Sequence, residues 1–146
     1  MKKISALLLV VLCVLALSSC ASVGYEKAPS WLRGKTWTGF KTYIYEGGSF
    51  TEDYSFAFHK DGTFSVEDYW GSVSEDLIIT TSNNANTYQI TFVGPYVFEG
   101  VESNQEYVLS FTKISNNECE LNVFLKDIYS DGSEDSITRS VTLCAN

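Results

Sequence analysis

Basic residues and histidine are scarce in this chain. It has ten Lys and Arg residues against eighteen Asp and Glu, and its only histidine is His59. Nucleic-acid binding requires clustered Lys and Arg, and so does docking flat on an anionic membrane. The composition therefore argues against both. Because His59 has no second histidine, cysteine nucleophile or nucleophile elbow beside it, we expect no enzymatic activity and no cofactor.

Sequence with helical character is also missing. After Ser30, no long runs of Ala, Leu, Glu and Lys occur, and no stretch repeats its apolar residues at a helical spacing. In their place stand Thr, Ser, Val and many aromatic residues, with nine Tyr, nine Phe and three Trp in the whole chain. This composition is typical of β-strands, and the length after Ser30 fits one domain.

The one long apolar run is too short to span a membrane. From Ile4 to Leu17 the chain is apolar except for Ser5, and two lysines precede it. A run of roughly 14 residues fits a secretory signal and falls short of the roughly 20 needed by a transmembrane helix. The run ends in the sequence LSSC at residues 17–20, which resembles the lipobox of bacterial lipoproteins.

That resemblance implies a lipid anchor on Cys20. Residues 1–19 would be the signal peptide, the Cys20 thiol would carry a diacylglycerol, and the new amino terminus would be acylated. Several acyl chains, at about 0.8 kcal/mol per buried methylene, hold a protein firmly at a membrane. Ala21, which is not aspartate, implies the outer membrane. Residues 20–30 would then be a tether and residues 31–146 the domain; the alternative is an ordinary signal peptide with an incidental cysteine.

Alternating apolar and polar residues predict eight strands. They lie at about 35–45, 50–59, 63–69, 76–81, 87–93, 106–114, 119–126 and 136–144. Most connections are short, Asp61-Gly62 among them, and parallel pairing would need crossovers of a dozen or more residues. Residues 94–105 are interpreted as a longer connection, with or without a short extra strand, and residues 127–135 as a loop. The prediction is an antiparallel, up-and-down, eight-stranded barrel, which has no exposed edges; a two-sheet β-sandwich is the alternative.

A Gly and a Trp near the first strand and an Arg on the last strand suggest a family. Gly34 and Trp37 stand at the start, and Arg139 shares a face with Ile137 and Val141. This arrangement resembles the lipocalin-like (calycin) proteins, although their motif has one residue between Gly and Trp, whereas here there are two. The resemblance implies that Arg139 covers Trp37 through a cation–π contact and closes the barrel floor. Alternatively, Arg139 neutralises a ligand carboxylate, as in related fatty-acid binders, or faces solvent.

Aromatic side chains form the candidate ligand site, because an eight-stranded barrel can hold one small ligand. The predicted ligand-binding residues are Tyr43, Tyr54, Phe56, Phe58, Phe64, Tyr88, Tyr107 and Phe111. They either line a cavity or fill the interior. The first case predicts non-catalytic binding of a small apolar or amphipathic molecule. The second predicts a protein-interaction module that works through loop aromatics such as Tyr69, Trp70, Tyr96 and Phe98.

Two cysteines remain after processing, Cys119 and Cys144. In an exported protein an even pair predicts a disulfide, and the last hairpin brings these two near each other. Cys119 is in step with Leu121, whereas Cys144 is out of step with Leu143, so a bulge or frayed end would have to bring the sulfurs together. Two cysteines and one distant histidine do not make a metal site.

An acidic loop is the remaining candidate for a cation. Asp127, Asp131, Glu134 and Asp135 stand close together there. Calcium prefers oxygen-rich loops, but the spacing is not that of an EF-hand. A solvated hairpin loop is the favoured interpretation, and no metal is predicted.

Overall fold

The computed structural model describes residues 26–65, 77–98 and 100–146. These residues form seven strands and no helix. The strands are β1 (Lys35–Tyr45), β2 (Gly48–Phe58), β3 (Ile78–Asn83), β4 (Thr87–Phe98), β5 (Val101–Lys113), β6 (Glu118–Tyr129) and β7 (Glu134–Ala145). The described residues include no helix that could cross a membrane.

The seven strands make one antiparallel sheet in the order β2-β1-β7-β6-β5-β4-β3. The all-β antiparallel prediction is therefore confirmed. Strand β1 pairs with β2 along its whole length. On its other side it pairs with β7, but only at Trp37–Ala145 and Thr38–Cys144. Strands β2 and β3 stand at the two edges, and within the described residues no ladder joins them, so the sheet is open rather than closed into a barrel.

The third predicted strand, at residues 63–69, lies largely outside the described residues. Its described beginning forms one antiparallel bridge, between Phe64 and Phe58. The eight-strand count therefore stays a prediction. The Asp61-Gly62 turn that leads into it is present, with the His59 amide donating to the Thr63 carbonyl at 2.8 Å.

The interpretation of residues 94–105 as a connection is wrong, because β4 and β5 run through it as a ladder that continues to Phe98 and Val101. Gly94 and Pro95 look like strand breakers in the sequence. However, β3 pairs with β4 only as far as Val93. Among the described residues, no strand therefore pairs with that side of β4 at Pro95, and there a missing amide hydrogen costs little. Residues 127–135 likewise belong mostly to β6 and β7.

The sheet is curled so that the β1–β2 hairpin packs across the other strands. Phe56 and Phe58 of β2 contact Phe111 of β5 edge to face, each with ring centroids 5.3 Å apart, although three strands separate β2 from β5 in the sheet order. Such contacts are the favoured geometry for aromatic rings. The core lies on the inner face of the curled sheet, because alternate side chains of each strand point to that face.

The chain joins this fold earlier than the predicted domain start at residue 31. Ala28 and Leu32 are fully buried, and the Tyr88 hydroxyl donates to the Glu26 carbonyl at 2.8 Å. The Ala28 amide also donates to the Gly62 carbonyl at 3.0 Å. The segment from Glu26 therefore closes one end of the curled sheet, and residues 26–30 pack on the fold although they were predicted to be part of a tether.

The two ends of the curled sheet are named here for their contents. The base contains the turns at 59–63, 84–86 and 114–117, together with residues 26–34; the mouth contains the turns at 46–47 and 130–133, together with Gly100 between β4 and β5. Strand β1 leaves β7 after Thr38 on its way to the mouth. At that point a Cβ on Gly39 would be 2.5 Å from the Thr142 carbonyl oxygen, so the close crossing requires glycine.

Candidate functional site

A cleft of about 350 Å³ opens on the mouth side of the core. It lies where the β1–β2 hairpin has separated from β7. Its lining residues are Glu52, Asp53 and Tyr54 of β2, Tyr107 of β5, Val123 and Leu125 of β6, and Ile137 and Arg139 of β7. The cleft thus combines apolar and polar side chains.

The apolar wall of the cleft follows from strand register. Tyr107 is opposite Leu125 in the β5–β6 ladder, and Leu125 is opposite Ile137 in the β6–β7 ladder. The next inward pair is Val123 with Arg139. Because directly opposite residues point to the same face of a sheet, the aliphatic row and Arg139 face the cleft together.

The polar part of the cleft is centred on Glu52. Arg139 Nη1 donates to Glu52 Oε1 in an ion pair, and Tyr54 Oη donates to Glu52 Oε2 at 2.5 Å. The Arg139 and Glu52 side chains are 28% and 27% exposed. These three residues, here called the Glu52 cluster, hold one carboxylate between a guanidinium and a phenol.

Tyr43 supports the Glu52 cluster from β1. The Arg139 guanidinium carbon lies 5.2 Å from the Tyr43 ring centroid, a cation–π contact. Phe50 stacks on Tyr43 at 5.0 Å. Among the described residues, Arg139 Nε and the Tyr43 hydroxyl are buried with no hydrogen-bond partner. Tyr43 and Phe50 thus help to hold the Arg139 guanidinium beside Glu52.

Protonation in the cleft is fixed near neutral pH. Burial, followed by the hydrogen bond to Glu52, raises the pKa of Tyr54. Burial, followed by the charge of Glu52, raises the pKa of Tyr107. For Arg139, burial acts to lower the pKa, but the charge and hydrogen bond of Glu52 outweigh it and raise the pKa. Both phenols thus stay neutral and the guanidinium stays charged.

Arg139 does not meet Trp37, contrary to the contact implied by the lipocalin resemblance. Trp37 is opposite Ala145, six positions beyond Arg139 along β7, because β1 pairs with β7 only at the base. Trp37 donates through Nε1 to the Leu32 carbonyl at 3.1 Å, and its nearby cation is Lys35 Nζ, 5.3 Å from the ring. Trp37 belongs to the base and Arg139 to the cleft.

The eight aromatic residues predicted to bind ligand separate into two groups. Five of them are buried in the core: Phe56, Phe58, Phe64, Tyr88 and Phe111. Tyr54 and Tyr107 line the cleft, and Tyr43 supports its polar part. Of these eight residues, the structure thus packs five into the core and brings only Tyr43, Tyr54 and Tyr107 to the cleft or its polar part.

Sequence reasoning missed Glu52, the central residue of the cluster. Its signal is parity: Glu52 shares a strand face with Tyr54, Phe56 and Phe58, and an acidic residue in an apolar row is unusual. The aliphatic residues Val123 and Leu125 were assigned to a strand face but not to a site. Their role depends on how far β1 separates from β7, which no local pattern reports.

The predicted disulfide is not formed, and both thiols are free. Cys119 is opposite Leu143, whereas Cys144 is opposite Glu118, so the two side chains point to opposite faces of the sheet. Cys119 is buried and Cys144 is exposed. Burial, with smaller effects from Cys144 and Glu118, raises the pKa of Cys119 to about 12, which makes this thiol unreactive.

Cys20, Tyr69 and Trp70 lie outside the described residues. The acidic loop is a tight turn in which Asp131 Oδ1 accepts from the Ser133 amide at 2.9 Å and from its hydroxyl at 2.6 Å. Within the part of the chain that the structure describes, no three or more His, Cys, Asp or Glu side chains form a group suited to a metal ion.

Two other clefts are larger but chemically plainer. One of about 430 Å³ lies between the β4–β5 and β6–β7 hairpins, beside Tyr96 and Tyr129. One of about 530 Å³ lies beside Phe40 and Cys144. Neither has a charged pair that converges on it, so the cleft at the Glu52 cluster is the best candidate site.

Comparison with known proteins identifies no relative. No family model matches the chain, and no curated protein or solved structure shows significant similarity to it.

Proposed function

We propose that this protein is a lipid-anchored protein of the bacterial envelope, most simply at the outer membrane, that binds a small amphipathic molecule without catalysis. The observation that carries the proposal is the cleft of about 350 Å³, where Val123, Leu125 and Ile137 stand beside the Glu52 cluster. Small-molecule sites are typically concave, about 300–1,000 Å³, and mostly apolar with a few polar groups. The volume suits a small ligand better than a long acyl chain.

The anchor rests on the sequence at residues 17–20. If Cys20 carries the lipid, six residues lead to Glu26 at the base, and they span at most about 20 Å. The base would then be held close to the membrane while the mouth faces away. Replacing Cys20 with Ala should move the protein from the detergent phase to the aqueous phase in detergent partitioning. Retention of the variant in the detergent phase would contradict the anchor.

Ligand binding is tested with a neutral fluorescent apolar probe, N-phenyl-1-naphthylamine. We expect saturable binding at one site, and we expect Leu125→Gln to weaken it at least about tenfold because a polar side chain would enter the apolar wall. The matched control is Ile114→Gln, at an exposed position of a base turn, which should bind like the wild type. Non-saturable fluorescence, or equal binding by the two variants, would contradict the site.

A protein-interaction module is the second candidate, and exposed apolar residues favour it. Ile44 and Phe40 of the β1–β2 hairpin are 87% and 70% exposed, and the base interior is filled with side chains. Exposed apolar groups of this kind can mark a protein contact. If Ile44→Gln abolished capture of a defined partner while probe binding persisted, the hairpin rather than the cleft would be the working surface.

A further inference from the structure

We infer that the ligand of this cleft carries an uncharged, hydroxyl-bearing head group, as in an alkyl glycoside, and places its apolar part against Val123, Leu125 and Ile137. The inference rests on the proposed ligand-binding function and names the chemistry of its ligand. Three features of the cleft lead to it: its charge balance, its mixture of donors and acceptors, and its acidic rim.

The charge balance disfavours a charged head group. Arg139 and Glu52 form an ion pair, so their formal charges cancel. Asp53, the other charged residue of the lining, directly follows Glu52 and therefore points to the opposite face of β2. An anionic head that took Arg139 would leave Glu52 without its partner, and a cationic head that took Glu52 would do the same to Arg139. Because both side chains are only about a quarter exposed, leaving either charge without its partner is unfavourable. A neutral head group leaves the pair intact.

Donors and acceptors stand side by side in the Glu52 cluster. Each Glu52 oxygen accepts one hydrogen bond and has a further lone pair, and the Tyr54 hydroxyl, which donates, can still accept. Arg139 has further N–H donors beyond the one bonded to Glu52. A carboxylate only accepts and an ammonium only donates, whereas a hydroxyl does both. Adjacent hydroxyl groups therefore match this mixture better than either ion.

The rim of the cleft adds negative charge. A small extension of about 130 Å³ shares Leu125 and Ile137 with the cleft and is bordered by Asp127 and Asp135. These aspartates are directly opposite each other on β6 and β7, which disfavours entry of an anion. Asp127 Oδ1 already accepts from Ser103 Oγ at 3.1 Å and from Gln105 Nε2 at 2.9 Å, and Oδ2 can still accept a hydrogen bond from a hydroxyl group of the ligand.

Three probes with the same six-carbon tail test the inference: hexyl β-glucoside, hexanoate and hexylammonium. Each is titrated into isotope-labelled chain 20–146 carrying Cys20→Ala, which contains every described residue, and binding is followed by ¹H–¹⁵N chemical shifts. We expect hexyl β-glucoside to bind at least about tenfold more tightly than either ion. Its largest shifts should fall on the amides of Val123, Leu125 and Ile137.

Two variants then test the reason for that preference. Glu52→Gln leaves Arg139 unpaired and should shift the preference at least about tenfold towards hexanoate, whereas Arg139→Gln should shift it towards hexylammonium. The control is Lys126→Gln, which breaks the 2.8 Å ion pair with Glu134 away from the lining of the cleft. It should leave the order of the three probes unchanged. The ¹H–¹⁵N spectrum of each variant reports whether it is folded, and the double variant Glu52→Gln/Arg139→Gln provides a charge-neutral replacement.

The outcomes separate the inference from the proposed function. If none of the probes binds, the ligand-binding function itself is wrong. If hexanoate or hexylammonium binds the wild type as tightly as the glucoside, or if the glucoside shifts residues outside the cleft, the head-group inference is overturned while ligand binding stands.

Discussion

The base and the mouth of the curled sheet share the same strands but fill their interiors differently. At the base, inward positions hold large aromatic residues, and residues 26–34 close the end. Towards the mouth, the inward positions of β6 and β7 hold Val123, Leu125 and Arg139, and β1 has separated from β7. The comparison teaches that one alternating pattern can build a sealed core and an open cleft, depending on side-chain size and on where a neighbouring strand departs.

The largest expected effect is at the base. Phe111 is fully buried and contacts Phe56 and Phe58, so Phe111→Ala should lower the free energy of unfolding by about 3–5 kcal/mol. Val97→Ala, at a position near the mouth that is 62% exposed, should change it by no more than about 0.5 kcal/mol. Urea unfolding of both variants measures the difference. Similar losses in the two would show that the base is not the main source of stability.

A smaller effect is expected where the two regions meet. Gly39→Ala places a methyl group against the Thr142 carbonyl and the Leu143 side chain, so the crossing of β1 over β7 must shift. We expect a loss of about 1–3 kcal/mol, typical of overpacking, measured by the same unfolding experiment. A variant as stable as the wild type would mean that β1 separates from β7 less tightly than described.

The Glu52 cluster should contribute less to the free energy of unfolding than Phe111 or Gly39 does. Because both charged side chains are about a quarter exposed, solvent screens the pair, and we expect a coupling of about 1 kcal/mol between Glu52→Gln and Arg139→Gln in a double-mutant cycle. If no coupling were measured, the argument that Glu52 and Arg139 form an ion pair with no net charge would fail. A coupling as large as the effect of Phe111→Ala would make the cleft a structural centre rather than a site.

The smallest effect concerns alkaline pH. The pKa of Tyr54 is raised from its ordinary value of 10.0, by burial first and then by the hydrogen bond to Glu52. Because the folded pKa lies above the unfolded one, the neutral phenol stabilises the fold fully below pH of about 10, and this contribution is lost as pH rises above that value.

Urea unfolding at pH values from about 8 to about 11 compares Tyr54→Phe with the wild type. The variant should lose stability less steeply above pH of about 10. Tyr45→Phe, at an exposed tyrosine of the hairpin tip, is the control and should follow the wild type. Identical curves for Tyr54→Phe and wild type would show that Tyr54 is not buried beside Glu52.

The base could be predicted from sequence more fully than the mouth. Alternation is local, so it locates the strands and marks Phe56, Phe58 and Phe111 as inward, although whether they pack or line a cavity stayed open. The extension of β4 through Pro95 was missed because a local breaker signal ignores the end of the neighbouring strand. The residues before Trp31 have the composition of a linker, and this local signal does not report that Ala28 packs against the sheet.

The candidate site depends on contacts that are distant in sequence. Glu52 and Arg139 are 87 residues apart, and they meet only because the hairpin of β1 and β2 curls over β7. Sequence parity places each on an inward face but cannot say which inward residues face each other. The disulfide is the opposite case: the parity of Cys119 and Cys144 already argued against it, and the structure agrees with parity.

The most direct test of a closed base and an open, ligand-binding mouth is an intermolecular NOE measurement with hexyl β-glucoside on methyl-labelled protein. The account predicts NOEs from the hexyl chain to the methyl groups of Val123, Leu125 and Ile137, and none to the fully buried Leu109 and Leu121 at the base. NOEs to Leu109 or Leu121, or only to the exposed Val97 and Val101 near the mouth, would contradict it.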